Sequence, residues 1–597
     1  LPESTDGFTT IDGKAWNFTD GTVRRDENTG SEGTGGVVGT GPNGRAGDGD
    51  EIPLSTVVRP ELEIADAAGV AQGLNIAGND NVIQDLAIWG FGTSEVGSHA
   101  NISMNTGSNN SIIQRTFLGT TAENFVKPDA TITGDPTANR GSNIIGDGGQ
   151  NISVNNNLIG FAELAGFDIR SNSPGWLIEN NEVRDNALEI YNKDGIAVFQ
   201  STVVGNLITG NGGFGVDDIN GGGVGDSTVD NNTIVNNGIG PEPGGSGEVQ
   251  TGGVRFAGTS NVAVHNVIAQ NYGPAVIVPD TGNNNTITQN SIFANGESTN
   301  RDGTAATGQI GIDLIETGGS GTEGTSPYVS LNDSGDADTG GNDLLNYPVL
   351  EQIIAQPNGD IILTGFARPG SIIEFFVAAP DPSGFGEGQT YLFTAVEGAT
   401  AGIVDRSAVS GAYGPGPVGG IEQGTDTTNR FDFVVPVGGI LAEGTPITAT
   451  ATNENAATSE FSGVVLVEGA QPPASIAGNV FEDINADSDT ADARAIETAT
   501  VMLYVDGNGN GLIDAGDFKA LEVQTDANGD YLFAGIGAGN YIIAVNSHTL
   551  NPQTGYNSGT DNGDAWAEQT WGSVGAICDD GAGGENVLTA PGACYAG

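Results

Sequence analysis

The residues with the clearest chemical capacity lie in the stretch 506–517, DGNGNGLIDAGD. Asp506, Asn508, Asn510, the carbonyl of Leu512, Asp514 and Asp517 fall at positions 1, 3, 5, 7, 9 and 12 of a twelve-residue loop, with Gly511 at the turn. Hard oxygen ligands converging from one short loop are what Ca2+ requires; the competing reading is an empty turn. Asp517 stands where Glu is usual and is one methylene shorter, so its ability to bind through both oxygens is reduced. A second series, Asp483, Asn485, Asp487, Asp489 and Asp492, begins with the same spacing but lacks the Gly after Asp487 and a carboxylate at position 12. Asp526, Asn528 and Asp530 offer a third group. Asp333, Asp336, Asp338 and Asp343 crowd a turn with no basic residue near them in sequence, which reads as a Ca2+ junction or, alternatively, a solvated acidic linker.

Whether Asp217, Asp218 and Arg255 form a further site depends on the elements that carry them. Between 151 and 295 an Asn, any residue, then Ile or Val recurs, with Asn157, Asn181, Asn206, Asn232, Asn266 and Asn290 spaced by 24, 25, 26, 34 and 24 residues. The one long interval carries the insertion 240–247, GPEPGGSG. A fixed period in this range means stacked units, each too small to bury its own apolar face. Short β-type runs separated by Gly and Asn clusters fill each unit, so each is a coil of strands and turns. Asn suits the corners because it tolerates left-handed backbone and its amide can bond the equivalent Asn one coil away.

This array resembles the right-handed parallel β-helix repeat family, whose coils carry the same Asn-x-Ile phrase. Aligning its strands places Asp168, Ala197, Asp217, Arg255, Ile277 and Asp313 on one outward column. Asp217, Asp218 and Arg255 would then be the acid, base and sugar-carboxylate binder of a polysaccharide lyase, epimerase or hydrolase. The column is interrupted by Ala197 and Ile277, and the His-bearing phrases of polygalacturonases and alginate epimerases are absent, so surface charge is the favoured reading.

The chain is 597 residues long, which calls for several domains, and its 97 Gly point to turn-rich all-β structure. The 18 Lys+Arg against 75 Asp+Glu give a formal charge of −57, which makes nucleic acid and anionic membranes poor partners and cations good ones. No apolar run is long enough to span a membrane. Cys578 and Cys594, the only cysteines, read as a disulfide, with two free thiols as the alternative; a disulfide implies an oxidising, extracellular compartment. Starting on Leu1 with no signal peptide, the chain reads as a mature or excised piece of an exported precursor.

The domain reading follows: 1–331, a right-handed parallel β-helix; 332–346, the acidic junction; 347–468, a β-sandwich resembling the Ig-like modules that follow β-helices; 469–474, a Pro-containing linker; 475–550, a small β-sandwich; and 551–597, a β-like segment with the Cys pair. The phrases at 475–483, 525–533 and 539–545 resemble the SdrD B-like and Cna B-type repeats of bacterial surface proteins, where acidic loops bind Ca2+. Cna B-type isopeptide locks need a Lys on the first strand, and Lys14, Lys127, Lys193 and Lys519 all lie elsewhere. The expectation is a secreted, Ca2+-stabilised structural or adhesive cell-surface protein that associates with itself head to tail, through 551–597, or with neighbouring surface proteins. An extracellular polysaccharide-active enzyme and a non-catalytic carbohydrate-binding adhesin are the alternatives.

Overall fold

In the computed structural model the described residues are all except 1–2, 15–27, 67–68, 93–96, 129–140, 189–192, 220–222, 224, 240–250, 302, 319–327, 357, 408–409, 414–421, 437–440, 470–473, 483–493, 507–512, 514–517, 537–539, 547–548, 551–570, 573–576, 580–584, 588–591 and 594–597. The chain divides into two compact units, Leu1–Gly469 and Ala470–Gly597.

The first unit is built on a parallel β-helix. Each coil contributes one short strand to each of three nine-stranded sheets. Sheet 1 runs from Thr10–Asp12 to Thr286–Thr288, sheet 2 from Leu62–Ala65 to Ser291–Phe293, and sheet 3 from Gln72–Ile76 to Ile312–Leu314. The pleat decides what faces inward. In sheets 1 and 2 the central residue points in, giving columns such as Val154, Ile178, Val203 and Val229, or Ile159, Val183, Ile208 and Ile234. In sheet 3 the two outer residues point in, as with Phe167 and Ile169, leaving the central residue of each strand outside. A fully buried aliphatic side chain of this kind contributes about 1.5–3 kcal/mol.

Asparagines hold the corners. Between sheets 1 and 2, each side-chain Nδ2 donates to the Oδ1 of the next coil along Asn157, Asn181, Asn206, Asn232, Asn266 and Asn290, at 2.9–3.0 Å. The backbone N–H of the same Asn donates to that oxygen too, as at Asn206. A second ladder, Asn186, Asn211, Asn237, Asn271 and Asn295, runs between sheets 2 and 3. The left-handed residue expected at each corner is the one before the ladder Asn: Asn156, Asn180, Asn231, His265 and Gln289 have φ from 50 to 56°. The ladder Asn is therefore chosen for its amide, and its predecessor takes the strained backbone.

Residues 31–58 do not extend the coils. They form an antiparallel ribbon, Ser31–Glu32 with Val57–Val58 and Val37–Val38 with Ile52–Pro53, lying lengthwise across the helix. Thr34 N bonds Glu182 Oε2 (2.5 Å), Gly41 N bonds Asn231 Oδ1 (3.0 Å) and Thr40 N bonds the His265 carbonyl (2.8 Å). Gly39 has φ +75°, and a Cβ there would lie 2.6 Å from the Asn231 carbonyl oxygen, so the close approach depends on glycine. At the tip, Arg45 donates to the carbonyls of Tyr391 (2.9 Å) and Leu392 (2.7 Å) in the following domain.

That domain is a sandwich of two four-stranded antiparallel sheets. One is Val349–Ala355, Asp360–Ala367, Asp426–Pro436 and Ser410–Tyr413; the other is Glu387–Val396, Ile372–Ala379, Pro446–Thr452 and Val465–Leu466. Ile353, Leu363, Phe431 and Phe433 face Ile373, Phe375, Ile447 and Ala449 across its core. Its Phe376 and Phe461 belong instead to the β-helix core, closing the open end of the last coil. The second unit pairs Ala474–Asn479 with Asp530–Ile536 and sets Thr500–Val505 between Phe518–Gln524 and Tyr541–Val545, around Val501, Leu503, Phe533 and Ile536.

Candidate functional site

Sheet 3 carries the outward column in the expected register, with Asp168 beside Ala197, Ala197 beside Asp217, Asp217 beside Arg255, Arg255 beside Ile277 and Ile277 beside Asp313. Asp217 and Arg255 form a two-pronged ion pair, Nε to Oδ1 at 2.7 Å and Nη2 to Oδ2 at 2.6 Å. The guanidinium lies 5.1 Å from the centre of the Phe214 ring, and Phe214 packs with Ile277 and Ile315. Asp217 side-chain exposure is only 3%. Asp218 points the other way, fully buried, and accepts from Gly258 N (2.9 Å) and Asn261 Nδ2 (3.0 Å). The three residues named from sequence are thus adjacent but closed on the protein itself. Sequence reasoning missed their neighbour Asp194, which accepts from Phe214 N at 2.8 Å. Burial, and then the charge of Asp217, push its carboxyl up to about 7.

At the acidic junction the carboxylates turn inward on the local backbone. Asp333 accepts from Ala337 N (3.0 Å) and Asp336 from Asn346 N (2.7 Å). The expected absence of a basic neighbour does not hold in space. Arg368, from the sandwich, bonds Asp426 Oδ2 at 3.1 Å, and Asp426 in turn accepts from Gly335 N and Asn346 Nδ2. Asp338 stands apart on a cavity of about 320 Å³ lined also by Asp313, Glu316, Tyr328 and Ser330. Burial, then the charges of Asp333 and Asp336, push Asp338 up to about 6. Among the described residues the one group of three carboxylates within 4.8 Å of one another is Asp48, Asp50 and Glu51, on the ribbon.

In the second unit Asp506 is 9% exposed at the end of its strand, and its N–H bonds the Asn540 carbonyl at 2.9 Å. Asn508, Asn510, Leu512, Asp514 and Asp517 lie outside the described residues, as do Asp483, Asn485, Asp487, Asp489 and Asp492. Asp526 closes its own turn, accepting from Asn528 N (2.8 Å) and Asp530 N (3.0 Å), and Asp530 accepts from Asn479 Nδ2 (2.9 Å). Cys578 sits on the strand Ile577–Asp579, and Cys594 lies outside the described residues.

A second feature that the sequence did not reveal is a set of buried carboxyls where the sandwich meets the last coil. Glu374 accepts from Thr288 Oγ1 (2.6 Å) and Gln289 N (3.0 Å). Glu387 ends the second ladder, accepting from Asn295 Nδ2 (3.0 Å) and N (3.3 Å). Glu460 accepts from Leu314 N (3.1 Å) and Ser330 N (2.8 Å). The three carboxyls thus satisfy donors at the end of sheet 1, of the second Asn ladder and of sheet 3 that the coil would otherwise leave orphaned.

The fold and these sites define an all-β, parallel β-helix repeat protein. A family described as periplasmic copper-binding protein (NosD) matches residues 75–310, which covers most of the coils. Among solved structures, the alginate lyase from Paenibacillus sp. str. FPU-7 is 14% identical, with 42% of this chain and 81% of that one covered at a TM-score of 0.23. Tailspike protein 2 from Escherichia coli O157:H7 bacteriophage CAB120 is 11% identical over 68% and 64%, with a TM-score of 0.26. Geobacillus virus E2 ORF18 is 10% identical over 73% of each chain, with a TM-score of 0.25. Copper does not fit the residues present. Within 75–310 its customary N and S ligands are limited to His99, His265 and Met104. Met104 is fully buried in the core, and His265 Nδ1 is engaged with Asp230 at 3.2 Å.

Proposed function

We propose that the chain is a secreted, calcium-stabilised structural or adhesive protein of a bacterial-type cell surface, in which the β-helix serves as a rigid rod. The observation that carries this reading is the closure of sheet 3's outward face. The acid on that face, Asp217, is only 3% exposed and is bound at both oxygens by Arg255, whose guanidinium lies against Phe214, so neither carboxylate oxygen is open to a sugar. Export agrees with the periplasmic description attached to 75–310. Calcium would be held by Asp506, Asn508, Asn510, the Leu512 carbonyl, Asp514 and Asp517, with the series beginning at Asp483 and the Asp526 turn as further candidates. An ion there draws together carboxylates that otherwise repel and ties neighbouring strands into one unit. The Asp333, Asp336 and Asp338 group is a weaker candidate, because Arg368 already supplies positive charge there. Head-to-tail self-association through the C-terminal segment is the proposed route to a polymer.

A polysaccharide-active enzyme is the second reading, favoured by Asp194, whose carboxyl near 7 would suit a general acid beside Asp217. The experiment that separates the two is depolymerisation of acidic and neutral polysaccharides by the full chain, with Asp217→Asn as control. The rod reading expects no turnover by either protein. Turnover by the wild type that Asp217→Asn abolishes would overturn it.

A further inference from the structure

The seam between sandwich and β-helix is unusually acidic for a buried surface. Glu374, Glu387 and Glu460 are 4%, 0% and 1% exposed, and Phe376 and Phe461 of the same domain are buried in the β-helix core. Each comes from a different segment of the sandwich and meets a different part of the last coil, so none can turn to solvent while the domains stay docked. Their surroundings do not neutralise them. Glu387 faces Asp381 of the sandwich and Glu297 of the β-helix, both of the same sign. Glu460 faces Asp313 of sheet 3. Among the described residues, of the three only Glu374 meets a group that can be cationic, His265, which also contacts Asp230. Arg45 of the ribbon is nearby but donates to the carbonyls of Tyr391 and Leu392.

We propose that docking of the sandwich onto the last coil is proton-linked: the seam closes with Glu387 and Glu460 protonated, and alkaline conditions release the sandwich and open the end of the β-helix. Undocked, these carboxyls would be exposed and ionised near neutral pH; docked, ionising Glu387 and Glu460 sets them beside like charges, with no cation facing either one among the described residues. Burial drives Glu387 up to about 8 and Glu460 well above the usual carboxylate range. The sign follows from linkage. A carboxyl with a raised docked-state pKa stabilises docking fully below its free pKa, and that stabilisation is lost as pH rises through the docked value. At Glu387 the carbonyl oxygen of the neutral acid, Oε1, keeps both Asn295 donors; at Glu460, where Oε1 accepts from Leu314 N and Oε2 from Ser330 N, the neutral acid keeps one of the two, and the other is what protonation costs.

The test is hydrogen exchange on the full chain between pH 6 and 9, corrected for intrinsic rates and read at 286–296 and 312–314, with the mid-rod strands Thr202–Val204 and Leu207–Thr209 as internal reference. The proposal expects local opening at the seam to grow about tenfold per pH unit for each carboxyl still protonated when docked, with the mid-rod unchanged. Glu387→Gln and Glu460→Gln, which keep an acceptor oxygen, should each flatten that slope, while His265→Asn should leave the slope above pH 7 in place. A seam whose opening is independent of pH in the wild type, or a slope that survives in the double Gln variant, would overturn it. If the Gln variants fail to fold, the wild-type profile alone decides, because ionised capping carboxylates predict a flat line over this range.

Discussion

Truncating one ladder side chain in mid-rod should weaken its own coil more than its size suggests. In Asn206→Ala, the N–H of Asn181 loses the Oδ1 it reaches at 2.9 Å, and the carbonyls of Ile178 and Val204 lose donors at 2.9 and 3.0 Å. Asn181 is fully buried, so its N–H cannot turn to water. An orphaned buried donor costs about 1–3 kcal/mol, and each lost hydrogen bond about 1 kcal/mol more. The sum is about 3–5 kcal/mol, against about 0.5 kcal/mol or less for Asn172→Ala at an exposed site. Because coils contact mainly their neighbours, the loss should be local. Native-state hydrogen exchange at Leu177–Glu179 and Thr202–Val204 is the assay, and protection there should fall by more than about a hundredfold. Asn206→Asp keeps the acceptor for Asn181 but turns an oxygen toward three other acceptors, so it should be no better than Ala. A loss under about 1 kcal/mol, matching Asn172→Ala, would refute the claim that the ladder holds the corners.

Three further outcomes follow from the same structure. Arg255→Met should destabilise the first unit by about 3–5 kcal/mol in urea melts, because it leaves Asp217 buried and unpaired, and adding Asp217→Leu should recover most of the loss. Asp194→Asn should gain stability relative to the wild type as pH rises from 5 to 8: the wild-type carboxyl, at about 7 when folded, contributes fully below about 4 and loses its contribution through 7, whereas the amide does not titrate. Arg45→Ala should free the ribbon tip from the sandwich, and limited proteolysis should then cut within 41–51 faster than in the wild type while the coils stay intact.

The coils were legible in the sequence because their information is local and repeated: a strand of three residues, a corner Asn, and the same again about 25 residues on. Even the sheet 3 column could be aligned, since a period-2 pleat fixes which residue faces out. The second ladder carried an equally plain signal that went unread, each of its members from Asn186 to Asn295 standing five residues after one of the first. The ribbon was not legible. Its strands are two residues long in a Gly-rich stretch with no periodicity, and its partners lie 93 to 347 residues away. The capping carboxyls were hidden for the same reason, since Glu387 meets Asn295 across 92 residues and Glu460 meets Leu314 across 146. A carboxyl that caps a distant backbone N–H looks, in sequence, like any surface Glu. At the acidic junction the reading failed on Arg368 because sequence proximity was taken for spatial proximity.

Calcium dependence bears most directly on the proposed role. Melting curves of the full chain in Ca2+ and after EGTA, paired with electron microscopy of the same samples, should show a lower melting temperature and loosened fibres on chelation, with Asp506→Asn and Asp514→Asn moving the calcium curve toward the chelated one. Isolated rods with a melting temperature indifferent to EGTA would contradict a calcium-stabilised structural protein.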